Sequence, residues 1–373
     1  MSGSRITNAS ALVAVLAAFL VGGLASLAIR PPGGEGATDR EQAAETTARR
    51  IQWRLPLSFQ TTMPVLGDNP IYVTDMLRAS SAGAVDLRIF EPGEVVPALA
   101  ITEAVREGKV EAGYTWLGYD QGRVPSAALI AAVPFGMEPW EFAAWWFEGG
   151  GRALGEALYA KQNIHILFCG LTGPETAGWF REPIENLDDV RGLKIRFAGI
   201  GGKVMERAGA SVTMLPGGEI FQALEKGAID ATEYALPIVD QSLGFNRVAS
   251  YNYYPGWHQP ATASHLAVNM EVWRQTAPAD RKLIEIACTA GVLRNLARSE
   301  ALQGEVIAGF PELGVEAHTL PDEVLRELER VTVEVLAEEA ANDADFAAIL
   351  ESQQRFRASH AHWKARAYLP RDF

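Results

Sequence analysis

One pattern occurs twice in this chain of 373 residues, and it constrains the fold more than any other feature. Residues 93–114 and residues 218–233 share an alanine, an aliphatic residue, two charges, a glycine, any residue, a β-branched aliphatic residue, an acid and an alanine. Each copy predicts a helix that stops at a glycine, Gly108 or Gly227, and a short buried strand after it. Because such units are common, a chance match is the alternative. A true repeat predicts two related α/β lobes.

The rest of the chain follows the same alternation of strand-like and helical runs. The residues from Val85 to Phe90 alternate in polarity, and those from Ile164 to Cys169 are continuously apolar, as expected for strands. Residues from Pro321 to about Lys364 predict a long helical region, with a stripe at Val324, Leu328, Val331 and Val335 that is typical of a core-facing helix. Strands interleaved with helices predict an α/β fold.

The N-terminus has the features of an export segment. Arg5 is the only charged residue before Arg30, and the residues between them are largely apolar with small side chains near position 28. This pattern predicts a secretory signal over residues 1–28, with an uncleaved membrane anchor as the alternative. Residues 29–50 are polar and predict a linker. The body of the protein is therefore expected outside the cytoplasm.

Charge and cysteine content narrow the function further. The formal net charge of −13 argues against nucleic acid as a partner. An anionic ligand would therefore need a local basic group. The two cysteines are Cys169 and Cys288, and export permits a disulfide. Two buried thiols remain the alternative, because the sequence does not give the distance between them.

Arg196 is the strongest candidate for that basic group. It lies near the end of a short alternating run from Leu193 to Phe197 and precedes glycines at Gly199, Gly201 and Gly202. A guanidinium at a strand end can bind both oxygens of a carboxylate, and a following helix N-terminus adds backbone donors. The alternative is a solvated arginine on an edge strand.

Carboxylates and aromatic residues suggest the remainder of a site. Glu233 lies where the second repeat strand is expected to end, and Glu175 lies in a turn-like segment. Such oxygens suit a hard cation, although two surface acids would look the same in a sequence. The aromatic run from Tyr251 to Gln259 either lines a pocket or forms an ordered hinge. Ligands of open α/β sheets bind beyond the carboxyl ends of strands, where Tyr114 is also expected.

Several longer runs resemble one family of proteins. They are Glu185–Arg196, Leu215–Glu233, Tyr253–Trp257, Val133–Met137 and Gly178–Phe180. Together they resemble the substrate-binding receptors of tripartite ATP-independent periplasmic (TRAP) transporters, and in particular the branch that binds 2-oxo acids and related monocarboxylates with a metal ion.

The resemblance spans nearly all of residues 53–365 and implies a two-lobed periplasmic-binding-protein clamp with a hinge and long C-terminal helices. We expect lobe I to comprise residues 51–172 and 262–300. Lobe II is expected to comprise residues 173–261 and 301–365, including the C-terminal helices. The implied partners are a small organic acid, the TRAP membrane subunits and a second copy of the chain in a homodimer. The implied location is the periplasm.

The resemblance also implies roles for individual residues. Arg196 matches the carboxylate anchor, and Glu233 and Tyr234 match the strand end that holds the ion, sodium or calcium. Glu175 matches a residue that touches both ligand and ion, Gln259 a residue of the same pocket, and Tyr114 a possible substrate contact. Two positions depart from the branch: Glu175 stands where glutamine is common, and Tyr234 where tryptophan is common.

Three classes of function are compatible with these residues. A binding protein without catalysis is the leading prediction, because it joins the export segment, the repeat and Arg196. An exported hydrolase could use a carboxylate pair drawn from Glu175, Glu233 and Asp240. A solute-sensing or scaffold protein is the third class. The sequence does not reveal which acid or which ion would bind.

Overall fold

The computed structural model describes residues 50–369, whose strands form three sheets of two, three and six strands. The first two are joined by one isolated bridge and are together called the first sheet. In the first sheet, β1 (Ile51–Pro56) pairs in parallel with β2 (Val85–Phe90). A parallel bridge at Leu57 connects β1 to β3 (Ala112–Trp116). Strand β3 pairs antiparallel with β10 (Thr262–Asn269), which pairs antiparallel with β4 (Ile164–Thr172). The predicted export segment lies outside the described residues.

The second sheet has the strand order β11-β9-β5-β8-β6-β7. Its strands are β5 (Gly178–Phe180), β6 (Lys194–Arg196), β7 (Ser211–Thr213), β8 (Ala231–Thr232), β9 (Tyr251–Tyr254) and β11 (Glu316–Thr319). Strand β6 pairs in parallel with both β7 and β8, whereas β5 pairs antiparallel with β8 and β9. The short strand that carries Arg196 therefore lies inside this sheet rather than at its edge.

The helices pack on the two sheets. They are α1 (Asp68–Ser80), α2 (Ile101–Arg106), α3 (Pro139–Glu148), α4 (Gly151–Ala160), α5 (Gly199–Arg207), α6 (Gly217–Glu225), α7 (Pro237–Ser242), α8 (Met270–Gln275), α9 (Pro278–Ala308), α10 (Asp322–Asn342) and α11 (Ala344–Ala367). No helix among the described residues is long and apolar enough to cross a membrane.

The sequence repeat corresponds to one local structure that occurs in both sheets. Gly108 and Gly227 take left-handed backbone conformations with φ angles of 69° and 70°. Each glycine N–H donates to the carbonyl three residues earlier, and the next residue donates to the carbonyl five residues before it. A side chain would be strained at this φ, which explains the glycine in both copies. The strands that follow are β3 and the much shorter β8.

The predicted lobes can be compared with the strands of each sheet. The first sheet draws its strands from residues 51–116, 164–172 and 262–269, and the second from residues 178–254 and 316–319. The predicted lobe boundaries fall between these sets of strands, although α9 continues through the boundary at residue 300 without a break. The lobe division remains a prediction.

The C-terminal helical region differs in one respect from its prediction. It consists of two helices, α10 and α11, because the side chain of Asp343 accepts hydrogen bonds from the N–H groups of Asp345 and Phe346 and starts a new helix. The predicted stripe is correct, since its four aliphatic residues are all buried. The helix that was expected after Arg196 is α5, and the glycines from Gly199 to Gly202 form its first turn.

A disulfide joins the two cysteines. Cys169 in β4 is bonded to Cys288 in α9, 119 residues further along the chain. This answers the question that the sequence left open. In the chain-entropy description, closing a loop of this length contributes about 4–5 kcal/mol to stability.

Candidate functional site

Arg196 lies at the centre of a buried polar cluster. It is the last residue of β6, and its side chain is 1% exposed, which rules out a solvated arginine on an edge strand. Its Nη1 donates to the backbone oxygen of Glu233 at 2.7 Å and lies 3.0 Å from the carboxylate Oε1 of the same residue. Its Nε donates to the carbonyl of Leu215 at 3.2 Å. These contacts fix the plane of the guanidinium.

One nitrogen of this guanidinium is left for a ligand. Nη2 faces the sulfur of Met214 at 3.9 Å, and a thioether is a weak acceptor. The guanidinium carbon also lies 5.1 Å from the centre of the Tyr234 ring. Arg196 can therefore offer a charged donor beside an aromatic surface.

Glu233 directly follows β8 and is fully buried. Its backbone N–H donates to the carbonyl of Arg196 at 3.1 Å, and its Oε1 accepts the N–H of Ala198. Its other oxygen, Oε2, has no hydrogen-bond partner within residues 50–369. Burial raises the pKa of this carboxyl, although the nearby Arg196 works in the opposite direction. Arg196 and Glu233 therefore lie in contact in one buried cluster.

Glu175 reaches the same cluster from the connection between β4 and β5. Its N–H donates to the carbonyl of Gln259 at 3.2 Å, and its Oε1 accepts from the hydroxyl of Thr262 at 2.8 Å. That hydroxyl also lies 2.7 Å from Oε1 of Gln259. Burial raises the pKa of Glu175 to about 8, and its Oε2 has no hydrogen-bond partner among the described residues. A β-carbon at Gly256 would lie 2.2 Å from the carbonyl oxygen of Glu175, so this close approach requires glycine.

His258 completes the group, and the sequence did not single it out. Its Nε2 lies 3.5 Å from Oε2 of Glu175 and 3.7 Å from Oε2 of Glu233. The ring is buried, and neither nitrogen has a hydrogen-bond partner in the part of the chain that the structure describes. Burial lowers the pKa of His258 to about 4, which keeps the imidazole neutral. Only its place within the aromatic run from Tyr251 to Gln259 could have drawn attention to it.

These three side chains meet the requirements of a cation site. One ligand atom from each of Glu175, Glu233 and His258 lies within 4.8 Å of the others, and all three residues are buried. Buried acceptors without partners are costly, and here three of them converge on one point. A cation at that point would satisfy all three atoms. The cluster therefore fits a metal ion.

Aromatic side chains form one wall beside Arg196. Tyr234 packs its hydroxyl 3.7 Å from the sulfur of Met63, and a β-carbon at Gly217 would clash with that hydroxyl. Tyr119 was not predicted; burial raises its pKa to about 12, and its hydroxyl interacts electrostatically with Arg196. Met63 and Gly217, which both lie near the Tyr234 hydroxyl, also line a cavity of about 470 Å³.

Tyr114 has surroundings of its own. It is buried in β3, and its hydroxyl accepts a hydrogen bond from Asn69 at 2.8 Å. The same amide donates to the carbonyl of Cys169 at 2.9 Å, which places Tyr114 beside the disulfide. The geometry therefore groups Glu175, Arg196, Glu233, Tyr234 and Gln259, and it does not add Tyr114 to them. A role for Tyr114 in contacting ligand remains a prediction.

Asp240 braces two of the site segments. This buried carboxylate accepts from the N–H of Ala235 at 3.1 Å, the indole N–H of Trp179 at 2.9 Å and the hydroxyl of Thr176 at 3.5 Å. The N–H of Thr176 also donates to the carbonyl of Ala235 at 3.1 Å. Asp240 thus holds the residue after Glu175 against the residue after Tyr234.

The family of the chain follows from comparison with known proteins. The model of the bacterial extracellular solute-binding protein family 7, DctP, matches residues 69–343. The chain belongs to this family. A monocarboxylate 2-oxoacid-binding periplasmic protein of Nostoc sp. (strain PCC 7120) is 33% identical over 314 residues, which is 84% of this chain and 86% of that protein.

Solved structures of TRAP solute-binding proteins share the fold. One from Bordetella bronchiseptica RB50, a mixed-occupancy dimer with calcium and picolinate bound in one active site, has a TM-score of 0.84 and 30% identity. It covers 85% of this chain and 95% of its own. One from Pseudoalteromonas atlantica T6c with sodium and pyruvate has a TM-score of 0.82 and 30% identity, over 85% of this chain and 97% of its own. The predicted α/β fold and family are confirmed.

Proposed function

We propose that this protein is the extracytoplasmic solute receptor of a TRAP transporter, and that it binds a small 2-oxo acid or related monocarboxylate together with a cation. The observation that carries the proposal is the adjacency of two features in one buried cluster. The guanidinium of Arg196, whose Nη2 donates only to a thioether, lies next to three atoms that have no hydrogen-bond partner among the described residues, one each from Glu175, Glu233 and His258. The relatives that bind pyruvate or picolinate with sodium or calcium support this assignment.

In this proposal each side chain has a separate task. Arg196 binds the ligand carboxylate through Nη2, while Glu233 and the carbonyl of Leu215 keep the guanidinium in place. Tyr234 and Tyr119 cover the apolar part of the ligand. Glu175 and Glu233 supply carboxylate oxygens to the cation. The cation supplies positive charge to the ligand oxygens that Arg196 does not reach.

The charge balance of the cluster favours a divalent ion, calcium, over sodium. When the cation replaces the proton that the raised pKa of Glu175 retains, Glu175 and Glu233 place two carboxylates against the single charge of Arg196. Binding an anionic ligand adds a further negative charge to a buried space. A divalent cation compensates this better than a monovalent one. This preference depends on Glu175. Glutamine is common at this position in the 2-oxo acid-binding branch that the chain resembles.

The proposal includes delivery and location but no catalytic step. The receptor would act in the periplasm and pass its ligand to the membrane subunits of the transporter. The family is one of solute-binding receptors, and we assign the carboxylates of the cluster to ion binding rather than to hydrolysis. We also propose a homodimer, an assembly that the Bordetella relative shows.

A thermal-shift screen tests the ligand class. Chelator-stripped protein would be heated with calcium and a panel of pyruvate, longer 2-oxo acids, dicarboxylates and sugars. A 2-oxo acid at about 100 times its dissociation constant stabilises the folded protein by about 2.7 kcal/mol, which raises the melting temperature by several degrees. A response to sugars or dicarboxylates alone would reject the 2-oxo acid assignment.

A further inference from the structure

We propose that His258 is the third side-chain ligand of the cation, and that its nitrogen makes the site accept borderline divalent ions such as manganese and zinc. The inference rests on the proposed ion site, but it adds a residue and a class of ion. It concerns the metal alone, so it can be tested in the absence of any organic acid.

The distances around His258 are those of metal ligands rather than of hydrogen bonds. Ligands at about 2.0–2.5 Å from one ion lie about 3–3.5 Å apart when they subtend a right angle, and further apart at wider angles. Nε2 of His258 lies 3.5 Å and 3.7 Å from the free oxygens of Glu175 and Glu233. One ion at ordinary bond lengths can therefore contact all three atoms.

The imidazole has no other polar role in the described part of the chain. Both ring nitrogens are buried without a hydrogen-bond partner, which costs about 1–3 kcal/mol for each unsatisfied group. A phenyl ring would fill the same space without that cost. A metal bond through Nε2 would offset the cost of burying this nitrogen.

The orientation of the ring is fixed by packing. Phe197 lies edge-on to His258 with the ring centres 4.8 Å apart, and Trp257 lies edge-on at 5.7 Å. A β-carbon at Gly201 would be 2.9 Å from the β-carbon of His258, so this glycine lets α5 pack closely behind the ring. These contacts orient Nε2 toward the two carboxylates. Packing thus does what a hydrogen bond to Nδ1 does for many metal-binding histidines.

A mixed ligand set has consequences for ion choice. Sodium and calcium prefer oxygen ligands. Imidazole binds zinc best, manganese less well and calcium least. Two carboxylates and one imidazole thus retain calcium and add affinity for borderline ions. Replacement of His258 by glutamine would exchange nitrogen for oxygen and remove that added affinity while keeping calcium.

Pulsed electron paramagnetic resonance of bound manganese tests the ligand directly. Chelator-stripped full chain, with its disulfide intact, would be loaded with one equivalent of Mn²⁺ and examined for coupling to a directly bound ¹⁴N. We expect the coupling in the wild type and in His318→Gln, a half-exposed control histidine, and its loss in His258→Gln. Calorimetry should show that His258→Gln weakens Mn²⁺ and Zn²⁺ about tenfold or more but changes Ca²⁺ less than about threefold.

The outcomes separate this inference from the proposed function. Wild-type protein that binds Mn²⁺ without ¹⁴N coupling would overturn the role of His258, even if pyruvate and calcium bind. Nitrogen coupling without any binding of 2-oxo acids would overturn the proposed ligand and support His258. Wild type that binds no cation would overturn both. If His258→Gln does not fold, His258→Asn replaces it, and the wild-type spectrum still decides.

Discussion

Arg196 shows how a buried charge can serve binding rather than stability. Its ion pair with Glu233 is almost fully buried, and the desolvation of such pairs offsets most of their attraction. Removal of one partner would leave a buried charge unpaired, at a cost of about 3–5 kcal/mol. Function should therefore be probed with substitutions that keep the charge.

Arg196→Lys should weaken 2-oxo acid binding by about 10–100-fold. A lysine keeps the charge opposite Glu233 but lacks the fork that places Nη2 toward the ligand while Nη1 and Nε remain bonded. Calorimetry with pyruvate and calcium measures the loss. Lys194→Arg, on the exposed end of the same strand, is the control, and equal affinity in Arg196→Lys and wild type would contradict the anchor role.

Glu175→Gln should change the preferred ion. The substitution removes one carboxylate from the cluster but keeps an oxygen near Thr262 and the ion. We expect calcium-supported pyruvate binding to weaken about tenfold or more, and sodium-supported binding to change much less. Parallel titrations in the two salts check this. A uniform loss in both would show that the charge of Glu175 does not select the ion.

The sequence was more informative about site residues that end strands than about those that join the site through packing. Arg196 and Glu233 could be predicted because each ends a strand next to a glycine-rich or repeated segment. His258, Tyr119 and Asp240 were not predicted as members, or not in these roles. Their roles depend on long-range packing, which no local sequence pattern predicts.

At the scale of elements, the repeat was the most informative signal. It predicted the left-handed Gly108 and Gly227, and both lie where the pattern places them. Strands β5 and β8 contain three and two residues, too few for a periodic pattern. The break at Asp343 was missed because a residue that caps a new helix looks like one more polar residue in a long helical region.

Asp240→Asn should lower ligand affinity while the protein stays folded. An amide can accept only through one oxygen, so one of the bonds to Ala235 and Trp179 must weaken. The segments behind Glu175 and Tyr234 would lose their alignment. We expect pyruvate affinity to fall about 3–30-fold for a positional change of this kind, with stability reduced by about 1–2 kcal/mol.

Calorimetry and denaturant unfolding separate the two effects of Asp240. Ser242→Ala, at the end of the same short helix α7, is a matched control, since its hydroxyl bonds to the carbonyl of Val239 within the helix. An Asp240→Asn variant that is less stable but binds as tightly as wild type would reduce the role of Asp240 to structure alone.

At the scale of the molecule, the site is closed. Arg196 and Glu233 are at most 1% exposed, so a ligand can reach them only if the surrounding elements separate. Small-angle scattering should give a larger radius of gyration for ligand-free protein than for protein with calcium and pyruvate, and the second should match the structure described here. Identical curves in the two states would contradict closure around the ligand.

The most direct test of the account is a calorimetric titration of chelator-stripped protein with pyruvate, with and without calcium. The buried arginine and the three unpaired acceptors predict that pyruvate binds at micromolar concentrations or below with calcium, and at least about tenfold more weakly without it. Equally tight binding in the presence of chelator would contradict an ion-dependent receptor, as would the absence of binding by any 2-oxo acid with calcium.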